Sequence, residues 1–276
     1  MIKNVFHIAD IHIPNLEDSQ RPFMEMLKVA LAELYAKIKK YNKDEVRIVL
    51  AGDIFHNKIK TSNEAKDIFH ELLNFLNEMA QTIIIAGNHD LLENNRERKD
   101  SISPTFKIIG VYPNITYLDK KLDYRSGYLV DDGVIWVLYS IHDKFRKPDI
   151  ENLREEYPNH KIIGLYHGEI TGATTDIGRT MEGGINTDDF AECDCVMAGH
   201  IHRFQEIKRK GVPIVYAGSL FQKDGGENIS KHGFLVWNLE DMTYKHHEVS
   251  NDYRIFRFQI GSYEDVENNV EKLLNA

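Results

Sequence analysis

The stretch Leu50-Ala51-Gly52-Asp53-Ile54-Phe55-His56 closes a largely apolar run that starts at Val46. A run of this kind, ended by a glycine, predicts a buried β-strand that stops at Gly52. Open α/β sheets bind their ligands beyond the carboxyl ends of the strands, which is where Asp53 stands. We therefore interpret Asp53 as a ligand-binding carboxylate around which a site is built.

Four further polar stretches follow strand-like runs: Asp10-Ile11-His12, Gly87-Asn88-His89-Asp90, His167-Gly168 and Gly199-His200-Ile201-His202. Asp10 and His12 stand two apart, so both side chains leave a strand end on the same side. His200 and His202 repeat that spacing. Carboxylate and amide oxygens mixed with imidazole suit manganese, iron or zinc, and no thiolate is present to select zinc. A single histidine is more often a packed or surface residue, but five such stretches indicate a two-metal hydrolytic site.

Length and composition set the class of protein. The 276 residues suffice for one large α/β domain, or for a domain with a small appendage. No apolar run reaches transmembrane length, and the chain enters a strand-like segment at Val5 without a signal peptide. We expect a protein without a membrane segment, not secreted, in the cytoplasm or nucleoid of its own cell or the cytoplasm of a host. The net charge of −9 argues against a broad basic DNA-binding face, although two bound divalent cations would add positive charge where a phosphate lies.

The chain has two cysteines, Cys193 and Cys195, which lie two apart on one predicted strand and are expected to share a face. A Cys-x-Cys pair is compatible with a metal site. Because no other cysteine is present, we favour core thiols in a reducing compartment.

Apolar periodicity predicts a β-α-β-α-β start with largely parallel pairing: strands at 4–9, 46–51 and 82–86, and helices at 22–41 and from a Thr61/Glu64 capping box to Met79. Shorter strand-like runs follow at 115–118, 128–130, 134–140, 161–166, 195–198, 204–208, 213–217, 233–239 and 242–249, with one helix at 148–156. A strand at 254–260 and a helix from Ser262 to Leu274 end the chain. The pattern indicates two mixed sheets packed face to face, with helices outside.

The motifs Asp10-x-His12, Gly52-Asp53-x-x-His56, Gly87-Asn88-His89-Asp90, His167 and Gly199-His200-x-His202 together resemble the calcineurin-like metallophosphoesterase superfamily. Within it, residues 1–250 resemble the SbcD-type nuclease subunits of double-strand-break-repair complexes, which work with an ABC-type ATPase. The resemblance implies an α/β fold of four layers, α/β/β/α, with two mixed sheets. It also implies two divalent metal ions, by preference Mn2+.

The resemblance implies two sets of metal ligands that share one carboxylate: Asp10, His12, Asp53 and His202 for one ion, and Asp53, Asn88, His167 and His200 for the other. It makes His89 the catalytic histidine, which protonates the leaving oxygen or stabilises the transition state, and His56 its assistant facing the substrate phosphate. Asp90 either orients His89 or caps the following turn. Arg179, in the Gly/Thr-rich loop 169–187, either contacts the DNA backbone or belongs to a plain flexible loop.

Position 56 bears on the subfamily. Phosphoprotein phosphatases of this superfamily carry Asp-Arg where this chain has His56-Asn57. They carry Asn-His-Glu where this chain has Asn88-His89-Asp90. His56 is similar to the form found in archaeal and eukaryotic repair nucleases, which disfavours a protein phosphatase.

Three functions remain to be compared. The leading one is a two-metal DNA nuclease, an exonuclease or endonuclease that acts in double-strand-break repair or recombination with an ABC-type ATPase. The alternative enzyme is a phosphodiesterase or phosphatase for small nucleotides or other phosphoesters. The third is a non-catalytic scaffold for DNA ends or the ATPase, against which the intact His89 and the complete ligand set argue.

In the family, a small capping domain and ATPase-docking helices follow the nuclease domain. We accordingly expect a nuclease domain at 1–252 and the start of a truncated or minimal cap at 253–276, without the docking helices. The helix that ends at Met79 carries an apolar stripe wider than one core-facing side needs. Since family members dimerise in this region, we expect a homodimer, unless the segment 91–113 covers the stripe.

Overall fold

Strand Val46–Ala51 is buried along its whole length on both faces, which places it inside a sheet that is covered on each side. The computed structural model that shows this describes residues 1–15, 17–58, 60–93, 95, 97–108, 112–143, 146–209, 211–258 and 260–274.

Those residues form twelve strands: β1 (Asn4–Ile8), β2 (Val46–Ala51), β3 (Gln81–Ile85), β4 (Ile115–Tyr117), β5 (Gly127–Asp131), β6 (Val134–Tyr139), β7 (Lys161–His167), β8 (Cys195–Gly199), β9 (Gln205–Arg209), β10 (Val212–Tyr216), β11 (Gly233–Asn238) and β12 (Thr243–Glu248). The same residues form six α-helices: α1 (Glu17–Ile38), α2 (Asn63–Met79), α3 (Ser103–Ile108), α4 (Leu118–Lys121), α5 (Ile150–Glu156) and α6 (Tyr263–Leu274). Short 3-10 helices lie at Lys43–Glu45 and Thr187–Phe190.

The strands pair into two mixed sheets of six described strands each. The first has the order β12-β11-β1-β2-β3-β4, and the second has the order β5-β6-β7-β8-β10-β9. In the first sheet β1 to β4 run parallel, whereas β11 and β12 are antiparallel additions. In the second sheet β6, β7, β8 and β10 run parallel, with β5 and β9 antiparallel at the edges. The carboxyl ends of the parallel strands of each sheet therefore meet at one edge.

Side-chain alternation along the strands separates two layers of core. Val49 of β2 lies between the sheets, in one cluster with Trp136 and Trp237. Its neighbours Ile48 and Leu50 point the other way and belong to the cluster that holds the helix side chains. Because each buried strand feeds both layers, the chain stacks as helix, sheet, sheet and helix. The four-layer α/β/β/α arrangement predicted from the sequence is confirmed.

The starts of the two long helices differ from the predictions. Helix α1 begins at Glu17, so Pro22 lies inside it rather than at its start. Helix α2 is capped by Ser62, whose hydroxyl accepts the Ala65 N–H at 3.1 Å, and not by the predicted box that starts at Thr61. Both polar residues before the helix suit a cap, and because the helix begins at Asn63 the capping position falls on Ser62.

The predicted strand at 254–260 is wrong: none of the described residues in that range lies in a strand. The main chain of Ile255 instead hydrogen-bonds a side-chain amide, because Gln222 donates to its carbonyl at 2.9 Å and accepts its N–H at 2.8 Å. The helix that follows is confirmed, and its capping box is formed by Ser262 and Asp265. The domain boundary at residue 252 stays a prediction.

Both cysteines are free and buried, but they do not share a face. Cys193 precedes β8 and lies in the cluster with the helix side chains, while Cys195 begins the strand and points between the sheets. The two thiols therefore cannot form one metal site. In the described part of the chain, no helix combines the length and the apolar character that a membrane span requires.

An ion pair joins the two sheets near the amino-terminal end of β2. Arg47 of β2 donates two hydrogen bonds to the carboxylate of Asp131 on β5, at 2.7 and 2.8 Å. The side chains of Arg47 and Asp131 are 5% and 19% exposed, so this bidentate pair is largely withdrawn from water. Breaking such a pair leaves a charge that is poorly solvated.

We expect Arg47→Met to lower the free energy of unfolding by about 2–3 kcal/mol, since Asp131 loses its partner while keeping some contact with water. The measurement is the urea midpoint followed by circular dichroism. Arg21→Met is the control, because that side chain is 89% exposed and its loss should change stability by less than about 0.5 kcal/mol. An equal effect of both substitutions would contradict the role given to the Arg47 pair.

Candidate metal centre

The loops that follow β1, β2, β3, β7 and β8 converge at one end of the two sheets. They bring together all seven side chains predicted as metal ligands: Asp10, His12, Asp53, Asn88, His167, His200 and His202. Backbone hydrogen bonds tie the first two loops to each other, since Asp10 N–H donates to the Gly52 carbonyl at 3.1 Å and His12 N–H to the Asp53 carbonyl at 3.0 Å.

Four of these residues have an unusual backbone. Asp10, His12 and Asp53 each have φ of 52°, and His200 has φ of 99°. Side-chain-bearing residues seldom adopt positive φ, and such strain collects at functional sites where the surrounding structure enforces it. All four lie within four residues of the end of β1, β2 or β8, where the chain leaves the sheet.

The first group of donors surrounds His12. Its Nε2 lies 3.0 Å from Nε2 of His202 and 3.6 Å from Oδ2 of Asp53. Asp10 completes the group, with its Oδ1 3.8 Å from Nε2 of His202. This set of four is the first of the two ligand sets that the motifs imply.

The second group surrounds Asn88. Its Oδ1 lies 2.8 Å from Nδ1 of His200 and 3.2 Å from Nε2 of His167. The same His167 nitrogen lies 3.3 Å from Oδ1 of Asp53. Asp53 thus directs one oxygen to each group, which is the geometry of a carboxylate shared between two ions.

Close approach at two glycines makes this arrangement possible. A Cβ on Gly87 would lie 2.1 Å from Oδ1 of Asp53, and a Cβ on Gly199 would lie 2.1 Å from the carbonyl oxygen of Ala51. Any side chain at these two positions would push apart the strand ends that carry the donors.

Neighbouring groups fix the histidine rings. His167 donates from Nδ1 to the Ala51 carbonyl at 2.7 Å, and His202 donates from Nδ1 to Oε1 of Glu227 at 2.5 Å. In both rings Nε2 is therefore the nitrogen that faces the centre, and it can ligate a metal ion that displaces its proton. Sequence analysis missed Glu227, because nothing in its local sequence shows that the loop folds back onto His202.

Ionisation of the cluster follows from burial and close pairing. Burial alone would raise the pKa of Asp53, but His167, His12 and His89 beside it together outweigh burial and lower that pKa. Conversely, burial opposes a charge on His167, yet the Asp53 carboxylate raises the pKa of that imidazole to about 10. Burial raises the pKa of Asp10 to about 6 and lowers the pKa of His200 to about 3.

The donor set fits divalent cations. Two imidazole Nε2 atoms, of His12 and His202, face each other at 3.0 Å, and the lone pair on His202 has a cation as its natural partner. Oxygens and imidazoles without a nearby thiolate suit borderline metals such as manganese, iron or zinc.

The predicted catalytic pair, His56 and His89, lies at the rim of the first group. His89 donates from Nδ1 to the main-chain carbonyl of His56 at 2.5 Å, and its ring packs edge-on against His12 at 4.9 Å between centroids. Partial burial is the largest cause that lowers the pKa of both rings, and the Lys223 ammonium also lowers it. The lowered pKa of each ring favours the neutral imidazole.

The Asp90 carboxylate binds the main chain of two turns that precede it in the chain, and not the turn that follows. Its carboxylate accepts the N–H groups of Ile54, Phe55 and Gly87 at 3.2, 3.0 and 2.9 Å, so it ties the turn after β3 to the turn after β2. The ring of His89 is oriented by the His56 carbonyl instead. Burial raises the pKa of Asp90 to about 7, while the three N–H donors favour its ionised form.

Arg179 lies in the loop 169–187, as expected, with an exposed side chain. Its main-chain groups pair with Thr175, which closes the tip of the loop. Contact with DNA stays a prediction for this residue.

Two cavities adjoin the donors. One has a volume of about 520 Å³ and is lined by Asn88, His167 and His200 of the second group. The other has a volume of about 840 Å³ and is lined by His12 and His56. Each of the two cavities is thus lined by ligands of a different group.

Comparison with known proteins agrees with this geometry. The family model described as calcineurin-like phosphoesterase matches residues 3–204. The chain is 34% identical over 278 residues to "Uncharacterized protein R555" of Acanthamoeba polyphaga mimivirus, covering 98% of this chain and 20% of that protein.

Two further relatives have a named activity. The chain is 24% identical over 226 residues to "DNA double-strand break repair protein Mre11" of Archaeoglobus fulgidus, covering 79% of this chain and 50% of that protein. It is 24% identical over 250 residues to the "Probable cyclic nucleotide phosphodiesterase" of Vesicomyosocius okutanii subsp. Calyptogena okutanii, covering 86% and 94%. The chain thus spans about a fifth of the viral relative and half of the archaeal one.

Because Asp53 directs an oxygen to each group, Asp53→Ala should weaken metal binding at both positions and abolish hydrolysis. Calorimetric titration with Mn2+ measures the number and affinity of the sites. Asp67→Ala, on the exposed side of α2, should bind as the unchanged protein does. Two tight sites in the Asp53 variant would contradict the shared carboxylate.

Glu227 should act through His202. Loss of a carboxylate that orients a ligating histidine commonly weakens metal affinity 10- to 100-fold, so we expect Glu227→Gln to weaken one of the two Mn2+ sites by roughly that factor. Calorimetric titration again provides the measurement, and Glu240→Gln, on the exposed surface, is the matched control. If both variants bound two ions with unchanged affinity, the hydrogen bond would have no part in metal binding.

Proposed function

The chain belongs to the calcineurin-like phosphoesterase family, and from that premise we propose that it is a Mn2+-dependent DNA nuclease acting in double-strand-break repair or recombination. The observation that carries the proposal is that a separate cavity adjoins each of the two ligand groups. A strand of nucleic acid can lie across such a site with nucleotides on both sides of the scissile phosphate. A small nucleotide would need only one enclosed pocket.

Each ligand group would hold one ion, with Asp53 between them. Two divalent cations bound there would polarise the phosphate oxygens and lower the pKa of an attacking water. The protein contributes fixed donors that cost little reorganisation, because strained turns and hydrogen-bonded histidines are already in place.

His89 is proposed as the general acid. With Nδ1 bonded to the His56 carbonyl, its Nε2 is the nitrogen that can hold a proton for the leaving oxygen. A phosphate anion beside the ring favours protonation, which offsets the effect of burial and of Lys223 on its pKa. His56 would contact the same phosphate from the cavity that it lines.

A phosphodiesterase for small nucleotides is the second candidate. Two observations favour it: the chain carries a net charge of −9, and it covers 94% of the cyclic nucleotide phosphodiesterase named above. The metal ligands would support hydrolysis of DNA and of a small nucleotide alike, so the two candidates differ in the size of the substrate that they accept.

We also propose assembly with an ABC-type ATPase, and the support for this partner is the resemblance to repair nucleases alone. A homodimer stays a prediction, and the apolar stripe that suggested it has another explanation. The α2 side chains of Ile68, Phe69, Leu72, Leu73, Leu76 and Met79 are buried within the chain, and Phe75 packs partly against the same core.

With Mn2+ present, the protein should cleave end-labelled single-stranded or frayed DNA faster than blunt duplex. His89→Asn should keep both metal sites and lower turnover by about two to four orders of magnitude, the range expected for a lost general acid. Gel analysis of the products gives the rate, and calorimetry gives the metal content. His160→Asn, near the opposite end of β7, should cleave normally.

Hydrolysis of a small phosphodiester is measured in parallel. If DNA of every form stayed intact while the small diester was hydrolysed through His89, the nuclease assignment would be wrong and the second candidate correct. Loss of a metal ion in the His89 variant would instead show that this residue is a ligand.

A further inference from the structure

The larger of the two cavities has a mixed wall. One side comes from α1, with Phe23 and Met26, and another from the turn that carries Phe221. The rings of Phe23 and Phe221 meet edge to face at 5.6 Å between centroids. Both rings are 5% exposed, so this side of the cavity is apolar but already packed, and open apolar surface has to come from other lining residues.

The outer wall is the segment 252–255, which is held in place by hydrogen bonds rather than by strand pairing. Gln222 clamps the main chain of Ile255 in both directions, and the hydroxyl of Tyr253 donates to Glu25 of α1. The side chains of Tyr253 and Ile255 are 42% and 45% exposed, so they offer apolar surface at the mouth of the cavity.

Cations stand beside this apolar surface. Lys223 and Arg254 line the cavity, and Asp252 is the single carboxylate among its described lining residues. The Lys223 ammonium is near enough to lower the pKa of His56 and His89. The cavity therefore combines a place for a flat ring with positive charge on the side that faces the metal centre.

We propose that this cavity binds one unpaired nucleobase of a DNA strand, the base of the nucleotide joined to the scissile phosphate on the side of His56. The inference rests on the proposed function and adds to it that the substrate must present an unstacked base. Lys223 and Arg254 then bind the flanking phosphates.

Size supports a single nucleotide. A volume of about 840 Å³ falls in the range of roughly 300–1,000 Å³ that holds one small ligand, and base pairs stacked in a duplex cannot enter it. Base stacking on aromatic side chains tolerates any sequence, because every base has a π-face. The preference should accordingly be for strand ends or unpaired regions and not for particular bases.

The first test uses the unchanged protein and end-labelled single strands in which one nucleotide is replaced by an abasic residue. Removing the base next to the cleaved bond on the His56 side should lower kcat/KM roughly 5- to 100-fold, the range that one stacked base contributes. An abasic residue many nucleotides away should have no effect. Equal cleavage for every abasic position would overturn the inference and leave the proposed function intact.

The second test changes the wall. Ile255→Glu places a negative charge in the mouth of the cavity, and Ile260→Glu is the matched control, because Ile260 is 60% exposed and does not line the cavity. We expect a tenfold or greater loss of single-strand cleavage for the first variant and none for the second, with unchanged Mn2+ binding in both. Equal activity of the two variants would overturn the inference.

Free mononucleotides serve to distinguish a base that belongs to a DNA strand from the base of a small nucleotide. Inhibition by a mononucleotide that is lost in Ile255→Glu, together with normal cleavage of single strands by the unchanged protein, supports the cavity as the base site of a strand. If the unchanged protein hydrolysed only small nucleotides and cleaved no DNA, both the strand assignment and the proposed function would fail.

Discussion

The position of one carboxylate sets the geometry of the whole site. Asp53 has left-handed backbone geometry, with φ of 52°, and directs Oδ1 towards His167 and Oδ2 towards His12. Its Oδ1 also accepts the His89 N–H at 2.7 Å, so the carboxylate fixes the loop that carries the proposed general acid. Gly87 has to lack a side chain because the same oxygen fills the space that a Cβ would take.

The sheets supply the rest of the geometry. Parallel β1, β2 and β3 end at one edge of the first sheet, and parallel β7 and β8 end at the facing edge of the second. The sheets approach closely there, since the Ala51 carbonyl on β2 leaves no room for a Cβ on Gly199 of β8. At the other end Arg47 joins the sheets through Asp131. Donors from both sheets can therefore share one pair of ion positions.

Charge explains how an acidic chain could act on an anionic substrate. The net charge of −9 gives no general attraction for phosphate, so positive charge has to be local. The carboxylates of Asp10 and Asp53 sit among imidazoles in a buried cluster that favours cations. Lys223 stands beside the same cluster on the side of the larger cavity. Attraction for a substrate would then depend on the ions and on a few side chains.

The sequence by itself determined the fold class and which seven side chains converge, because strand periodicity and polar residues at strand ends are local signals that survive in one dimension. It could not decide between Thr61 and Ser62 as the cap of α2, because the two hydroxyls are adjacent and both suit a cap. Nor could it show that Ile255 binds Gln222 instead of forming a strand, since that partner is distant in the chain. Only the tertiary structure showed Glu227 behind His202, gave Asp90 its task and opened the cavity beside His56. Those features arise where loops from different strands come into contact. The residues concerned are far apart in the chain, so the sequence does not show that they are neighbours in the fold.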